Sequence, residues 1–69
     1  SADAKAYQGA SSLLQLGLIV AAADGNIDPD EVKRITQHLE DQFDLSPSQC
    51  RRLEALRYLL QHNRPDPAK

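Results

Sequence analysis

Four acidic side chains lie within one eight-residue stretch, residues 24–31. They are Asp24, Asp28, Asp30 and Glu31. Hard divalent cations prefer several carboxylate and carbonyl oxygens that converge from a short loop. These four residues are therefore the candidate metal ligands of the chain, and Ca²⁺ or Mg²⁺ is the candidate ion.

This acidic turn matches only half of an EF-hand calcium loop. Such a loop has Gly at position 6 and oxygen ligands at positions 1, 3, 5, 7, 9 and 12. With Gly25 at position 6, the later ligand positions fall on suitable residues, which are Asp24, Asn26, Asp28 and Glu31. Positions 1 and 3 fall on Val20 and Ala22, which have no side-chain oxygen. The pattern predicts weak or partial cation binding rather than a complete calcium loop.

Helix capping explains the same residues without a ligand. Gly25 tolerates the left-handed conformation that ends many helices. Asp28 is placed as an N-cap, Pro29 as the first helical residue and Glu31 as the partner in a capping box. Asp30 is then a first-turn acid favoured by the helix dipole. Both interpretations predict a helix that ends near residue 24 and another that begins at residue 29.

The other reactive side chains do not form a catalytic set. Neither His38 nor His62 has a histidine or cysteine three or four residues away, as a transition-metal site on a helix would require. Cys50 stands where a small buried apolar residue is expected. A cysteine hydrolase would also need pocket walls that 69 residues hardly supply. We therefore expect no enzymatic activity.

Length and charge restrict the class of protein further. A chain of 69 residues makes one small domain or a piece of one, and 8 basic against 10 acidic residues give a net charge of −2. Nucleic-acid binding needs a clustered basic surface, so we expect none. The apolar run 16–23 is too short to span a bilayer and contains Gly17, so we expect no membrane insertion. A single cysteine fits a reducing compartment, which predicts a cytoplasmic location.

Apolar spacing predicts an all-α fold, a small bundle of three helices joined by short capped turns, with a fourth helix as the alternative. The predicted helices span residues 7–23, 29 to about 43, and 47 to about 62. Ser46, Pro47 and Gln49 repeat the helix-start pattern of the acidic turn. We expect residues 1–6 to be flexible, residues 7–62 to form the domain and residues 63–69 to be a disordered tail.

The first helix is the predicted centre of the bundle because its apolar arc is wide. The arc contains Tyr7, Ala10, Leu13, Leu14, Leu16, Leu18, Val20 and Ala21. Gly17 lies within it, where another backbone could approach closely. The second helix has a narrow stripe of Val32, Ile35, Leu39 and Phe43, and the third turns Leu53, Leu56 and Leu60 inward.

The run from Ala21 to Val32, followed by Phe43 to Pro47, resembles the tellurite-resistance TerB family. The superfamily includes the amino-terminal region of membrane-anchored DnaJ-like co-chaperones. The resemblance implies an all-helical domain in a bacterial stress-response system, with an acidic surface that binds divalent metal and recruits protein partners. The residues that match its acidic motif are Asp24, Asp28 and Glu31, with Asp30 adjacent. Because members usually have acidic residues on a further helix pair, this chain resembles a partial or compact version.

Two hypotheses of function follow. The first is a TerB-like module that binds a protein partner, with weak divalent-cation binding at the acidic turn as an accessory. The second is a purely structural or oligomerising domain without metal binding, in which the arc of the first helix is only partly covered within one chain. A homodimer would then be expected.

Overall fold

Three α-helices joined by short turns form the part of the chain that the structure, a computed structural model, describes, residues 2–62. Helix α1 spans Ala2–Ala23, α2 spans Pro29–Gln42 and α3 spans Pro47–His62. Each helix packs against the other two. The prediction of an all-α bundle of three helices is confirmed. The predicted tail at residues 63–69 lies outside the described residues.

Helix α1 begins at Ala2, five residues before the predicted start at Tyr7. Residues 2–6, which were predicted to be flexible, are helical because alanine favours helix and Asp3 in the first turn complements the helix dipole. Two contacts also hold this end against α3. The Gln49 Nε2 donates to the Asp3 carbonyl at 2.7 Å, and the Arg52 guanidinium lies 4.2 Å from the centre of the Tyr7 ring.

The turn between α1 and α2 follows the predicted capping pattern. Gly25 has φ of +80°, and its N–H donates to the Ala22 carbonyl at 3.0 Å. Asp28 is extended and accepts a bond from the Asp30 N–H at 3.0 Å, with Pro29 as the first helical residue. These contacts fix the reversal of chain direction between the two helices.

The turn between α2 and α3 uses a non-glycine residue in the left-handed conformation. Asp44 has φ of 51°, and its N–H donates to the Asp41 carbonyl at 3.1 Å. The Leu45 N–H donates to the Glu40 carbonyl at 3.0 Å, which completes a Schellman motif. Sequence reasoning missed this role of Asp44, although Asp is one of the few residues that tolerate this conformation.

The predicted start of α3 is confirmed as a reciprocal capping box. The Ser46 N–H donates to Gln49 Oε1 at 3.0 Å, and the Gln49 N–H donates to Ser46 Oγ at 3.3 Å. Because Gln49 also bonds to the first turn of α1, the cap joins the beginnings of two helices.

The core lies where the three helices meet. Its buried apolar residues are Ala10, Leu14, Leu18, Val32, Leu39, Leu45 and Leu53. Phe43, Leu56 and Leu60 pack against them and are partly buried. Thr36, which the apolar pattern did not mark, is also fully buried, and its hydroxyl donates to the Val32 carbonyl at 2.8 Å. That bond allows a polar side chain to lie within the core.

The close contact at a helical glycine occurs at Gly9 rather than at Gly17. A Cβ added to Gly9 would lie 2.8 Å from Phe43 Cε1, whereas a Cβ added to Gly17 would meet nothing within 4 Å. The prediction that another backbone approaches Gly17 is therefore wrong for the described part of the chain. The reason is that the face of α1 around Gly17 opens into a groove.

Candidate functional site

A groove of ≈ 470 Å³ lies between α1 and α2. Its walls include four large apolar side chains that remain substantially exposed: Leu13 (47%), Leu16 (55%), Val20 (55%) and Ile35 (39%). Gly17 also lines the groove. These four side chains leave apolar surface of two helices open to solvent at the groove.

The groove arises because the apolar arc of α1 is wider than α2 and α3 can cover. The covered part of the arc is Ala10, Leu14 and Leu18, and the residues on its other edge are left open. The apolar stripe of α2 is only partly buried, because Val32 and Leu39 lie in the core and Ile35 is 39% exposed. Ile35 instead lies at the groove wall, where no third helix is available to cover it.

The acidic turn forms one end of this groove, which we call the acidic lip. The lip consists of Asp24, Asp28 and Glu31, all of which line the groove and are exposed. Asp30 is exposed beside it, but does not line the groove. Within residues 2–62, no Lys, Arg or His nitrogen lies within 4.0 Å of these carboxylates. Among residues 2–62, the lip is therefore a set of negative charges without an ion-pair partner, next to apolar surface.

The four predicted metal ligands lie on one turn but do not form a chelating site. Within residues 2–62, no group of three or more His, Cys, Asp or Glu side chains is placed to hold a metal ion. One Asp28 oxygen is already used by the Asp30 N–H. Tight binding of Ca²⁺ or Mg²⁺ requires several oxygens that converge on the ion. The four carboxylates of the turn do not have this arrangement.

The capping box predicted between Asp28 and Glu31 is only half formed. Asp28 caps the helix through the N–H two residues on, but among residues 2–62 no bond joins Glu31 to the Asp28 N–H. Glu31 lines the groove instead. Its carboxylate therefore stays available to a ligand or a partner.

A second acidic cluster, missed by sequence reasoning, lies between α2 and α3. The pKa of Glu40 is raised to about 7, and burial of its carboxyl group is the largest cause. The hydrogen bond to Glu54 and the negative charges of Glu54 and Asp41 raise it further. Arg57 opposes this shift, and its Nε donates to Glu54 Oε1 at 3.0 Å. Within the part of the chain that the structure describes, Glu40 Oε2 is buried and has no hydrogen-bond partner. Two carboxylates can share a hydrogen bond only if one carries a proton, so Glu40 is protonated when they do.

Cys50, His38 and His62 lie apart from the groove, and their contacts are as follows. The Cys50 thiol is half-buried, and its Sγ donates to the Leu45 carbonyl at 3.7 Å. Burial and the nearby carboxylates of Glu40 and Glu54 raise its pKa, which keeps the thiol protonated and weakly nucleophilic. His38 is exposed on α2, and the His62 ring stacks on Tyr58 with 4.2 Å between ring centres. These surroundings agree with the interpretation of Cys50 as a small apolar residue.

Helix α1 is long and apolar enough to cross a membrane when only length and composition are considered, with a mean hydropathy of 1.2 over 18 residues. Core helices of soluble proteins and signal sequences have the same properties. In this structure α1 packs against α2 and α3 through Ala10, Leu14 and Leu18, and 22% of its apolar window is buried.

These features define a small all-α domain with an apolar groove that ends in an acidic turn. Residues 10–66 match the family model of tellurite resistance protein TerB. The chain therefore belongs to the TerB family, in agreement with the resemblance of its turn sequences. The TerB family is in general a helical, non-catalytic domain family. Searches of curated proteins and of solved structures found no match.

Proposed function

We propose that this TerB-family domain is a non-enzymatic module that binds a protein partner in the groove between α1 and α2. We place it in the cytoplasm, in a bacterial stress-response system of the tellurite-resistance type. Family membership supports the setting. The groove supports the activity, because it offers apolar surface that the chain itself leaves uncovered.

The exposure of Leu13, Leu16, Val20 and Ile35 carries this proposal. These side chains are 39–55% exposed although they belong to helices that also build the core. Because about half of each side chain is already buried, covering the rest stabilises a complex by roughly half of the about 1.5–3 kcal/mol gained by a fully exposed side chain, before the costs of association. Helical grooves of this kind recognise partners through a few apolar anchors.

Divalent-cation binding at Asp24, Asp28, Asp30 and Glu31 is an accessory part of the proposal. The carboxylates are exposed and do not converge, so the ion would be held loosely and largely through its own water molecules. Ca²⁺ and Mg²⁺ are the ions that this donor chemistry suits.

An oligomerising domain without metal binding is the second candidate function. The same exposed face of α1 favours it, because two copies would cover each other's apolar surface. The solution mass separates it from the first candidate, since partner binding requires a groove that is open in the free protein.

Site-specific photo-crosslinking in the native host tests partner binding. A photoreactive amino acid at Leu16 should give one dominant protein adduct, because that position lies in the groove. The matched position is Leu59 on α3, which is 52% exposed and does not line the groove. Labelling at Leu59 should not give the adduct, and adding Ile35→Asp to the Leu16-labelled chain should remove it. Equal adducts from both positions would contradict binding in the groove.

A further inference from the structure

We infer that the occupant of the groove is an amphipathic helix of the partner, whose apolar stripe lies along α1 and whose Lys or Arg residues lie against the acidic lip. The inference rests on the proposed function. It adds the chemistry of the partner and states which end of its apolar stripe lies at the acidic lip. Two observations carry it, the shape of the groove and the distribution of charge along it.

The groove extends along about two turns of α1 and includes a glycine, and both features suit the binding of a second helix. Its exposed α1 residues run from Leu13 to Val20, about two helical turns or roughly 10 Å. Gly17, which lines the groove, costs about 1 kcal/mol of helix stability relative to alanine. No atom within the described structure requires this glycine, because a Cβ there would meet nothing within 4 Å. The missing side chain leaves room for a second helix to approach the α1 backbone.

The charge along the groove gives it a direction. Asp24, Asp28 and Glu31 lie at one end, whereas the middle of the α1 wall is formed by Leu13, Leu16 and Val20. No cation among residues 2–62 pairs with the lip carboxylates. A partner helix with basic residues at one end of its stripe complements both parts of the surface. The opposite orientation would place apolar residues against carboxylates.

A second copy of the chain complements the groove less well. Between residues 2 and 23, the α1 helix contains a single basic residue, Lys5. Pairing α1 with α1 would cover Leu13, Leu16 and Val20 but would bring mainly uncharged residues to the acidic lip. An anionic membrane surface is disfavoured for a related reason, because its phosphates would be repelled by the lip.

Binding of designed peptides to the full chain tests the inference. The probe is a helical peptide of about 16 residues, roughly 24 Å long, with a leucine stripe that ends in three lysines. One matched peptide has glutamates in place of the lysines, and another has the lysines at the opposite end of the stripe. A nitroxide label at the basic end of each lysine peptide broadens nearby amide signals in NMR spectra and so reports orientation.

We expect both lysine peptides to shift the amides of Leu16, Val20 and Ile35, with the label broadening Asp24 and Glu31 in each case. The two peptides would therefore bind in opposite chain directions. The glutamate peptide should bind more weakly, and raising the salt concentration should reduce this difference.

Matched variants locate the charge effect. The double variant Asp24→Asn, Glu31→Gln should weaken binding of a lysine peptide by about threefold to tenfold, because each exposed charge pair contributes only modestly. It should leave the glutamate peptide no weaker than before. Asp28 is left unchanged because it caps α2. Leu59→Gln on α3 is the control and should change neither affinity.

The outcomes separate this inference from the proposed function. Equal binding of lysine and glutamate peptides in the groove, or a label that reports no fixed orientation, would overturn the inference and leave groove binding intact. Peptide-induced shifts confined to Tyr58 and Leu59 would overturn both. Self-association that protects Leu16 and Val20 would make a second copy the occupant and overturn the inference, as would preferential binding of anionic phospholipid vesicles through these residues.

Discussion

The Phe43 ring lies directly over the backbone of Gly9, with its Cε1 only 2.8 Å from the position that a Cβ on residue 9 would take. This contact joins the end of α2 to the N-terminal half of α1. At the other end of the same helix pair, Gly17 faces open space. The surface of α1 is thus covered by a side chain of α2 at Gly9, whereas at Gly17 it is open to the groove.

Gly9→Ala should lower the free energy of unfolding by about 1 kcal/mol. Alanine gains about 1 kcal/mol in helix propensity, but the clash with Phe43 costs about 1–3 kcal/mol. Urea denaturation measures the difference. The double variant Gly9→Ala, Phe43→Leu should be more stable than the sum of the single changes predicts, because the smaller side chain relieves the clash. Strict additivity would contradict the contact.

Gly17→Ala should have the opposite effect to Gly9→Ala and raise the free energy of unfolding by about 0.5–1 kcal/mol. Its Cβ would meet no atom of residues 2–62 within 4 Å, so only the gain in helix propensity remains. The same denaturation measurement applies. A loss of stability at this position would show that the groove is closed in solution and would refute the account of Gly17.

Gln49→Glu tests the contact between the beginnings of α1 and α3. The carboxylate keeps an acceptor for the Ser46 N–H but loses the donor to the Asp3 carbonyl. We expect a loss of about 1 kcal/mol and faster hydrogen exchange in the first turns of α1. Gln37→Glu, at an exposed position in α2, is the control and should change stability little. Unchanged exchange in α1 would mean that this bond does not hold its end.

The stability of the domain should fall as the pH rises through about 7. The folded pKa of Glu40 is raised from 4.5 to about 7, so the folded state holds its proton more tightly than the unfolded state does. This contribution is complete below pH 4.5 and is lost as the pH rises through about 7. Denaturation midpoints measured between pH 4.5 and 8 should show the decline.

Glu40→Gln should remove most of this pH dependence and be more stable than the natural chain at pH 8 by about 1 kcal/mol. The glutamine amide remains a hydrogen-bond donor to Glu54 at any pH. Because the two proteins differ at this residue alone, the difference between the two curves isolates Glu40. An equal slope in the two proteins would exclude the shared proton.

Ca²⁺ or Mg²⁺ at millimolar concentration should shift the amide signals of residues 24–31 and leave those of α3 unchanged. The exposed carboxylates bind loosely, so a dissociation constant of about 1 mM or weaker is expected. Asp24→Asn combined with Asp30→Asn should reduce the shifts and leave the Asp28 cap intact. If no shift occurred at this concentration, the accessory cation function would be discarded.

The limits of α2 and α3 were predictable because they are set by local chemistry. Pro29 and Pro47 begin these helices where capping rules place them, and Gly25 adopts the positive φ that its position demands. The left-handed residue at Asp44 was missed because asparagine and glycine are the usual indicators. The early start of α1 depends on contacts with Gln49 and on other residues distant in the sequence.

Partial coverage of the apolar arc of α1 was one of the two hypotheses drawn from the sequence, but which of its residues stay uncovered could not be predicted. A wide apolar arc shows which side chains of α1 avoid water, but not whether the chain supplies a helix to cover each of them. Leu16 and Leu14 belong to the same arc, yet they are 55% and 1% exposed. Only the arrangement of α2 and α3 decides between them. The raised pKa of Glu40 could not be predicted either, because Glu54 on α3 is one of its causes.

The solution mass of the full chain at about 0.1 mM, measured by sedimentation equilibrium, tests most directly whether the groove is open to a partner. At this concentration, a dimer with a dissociation constant in the micromolar range would be populated. We predict a monomer of 7.6 kDa, with the face formed by Leu13, Leu16 and Val20 exposed. A stable dimer of twice that mass, abolished by Leu16→Glu, would contradict the account, because a second copy would already fill the groove.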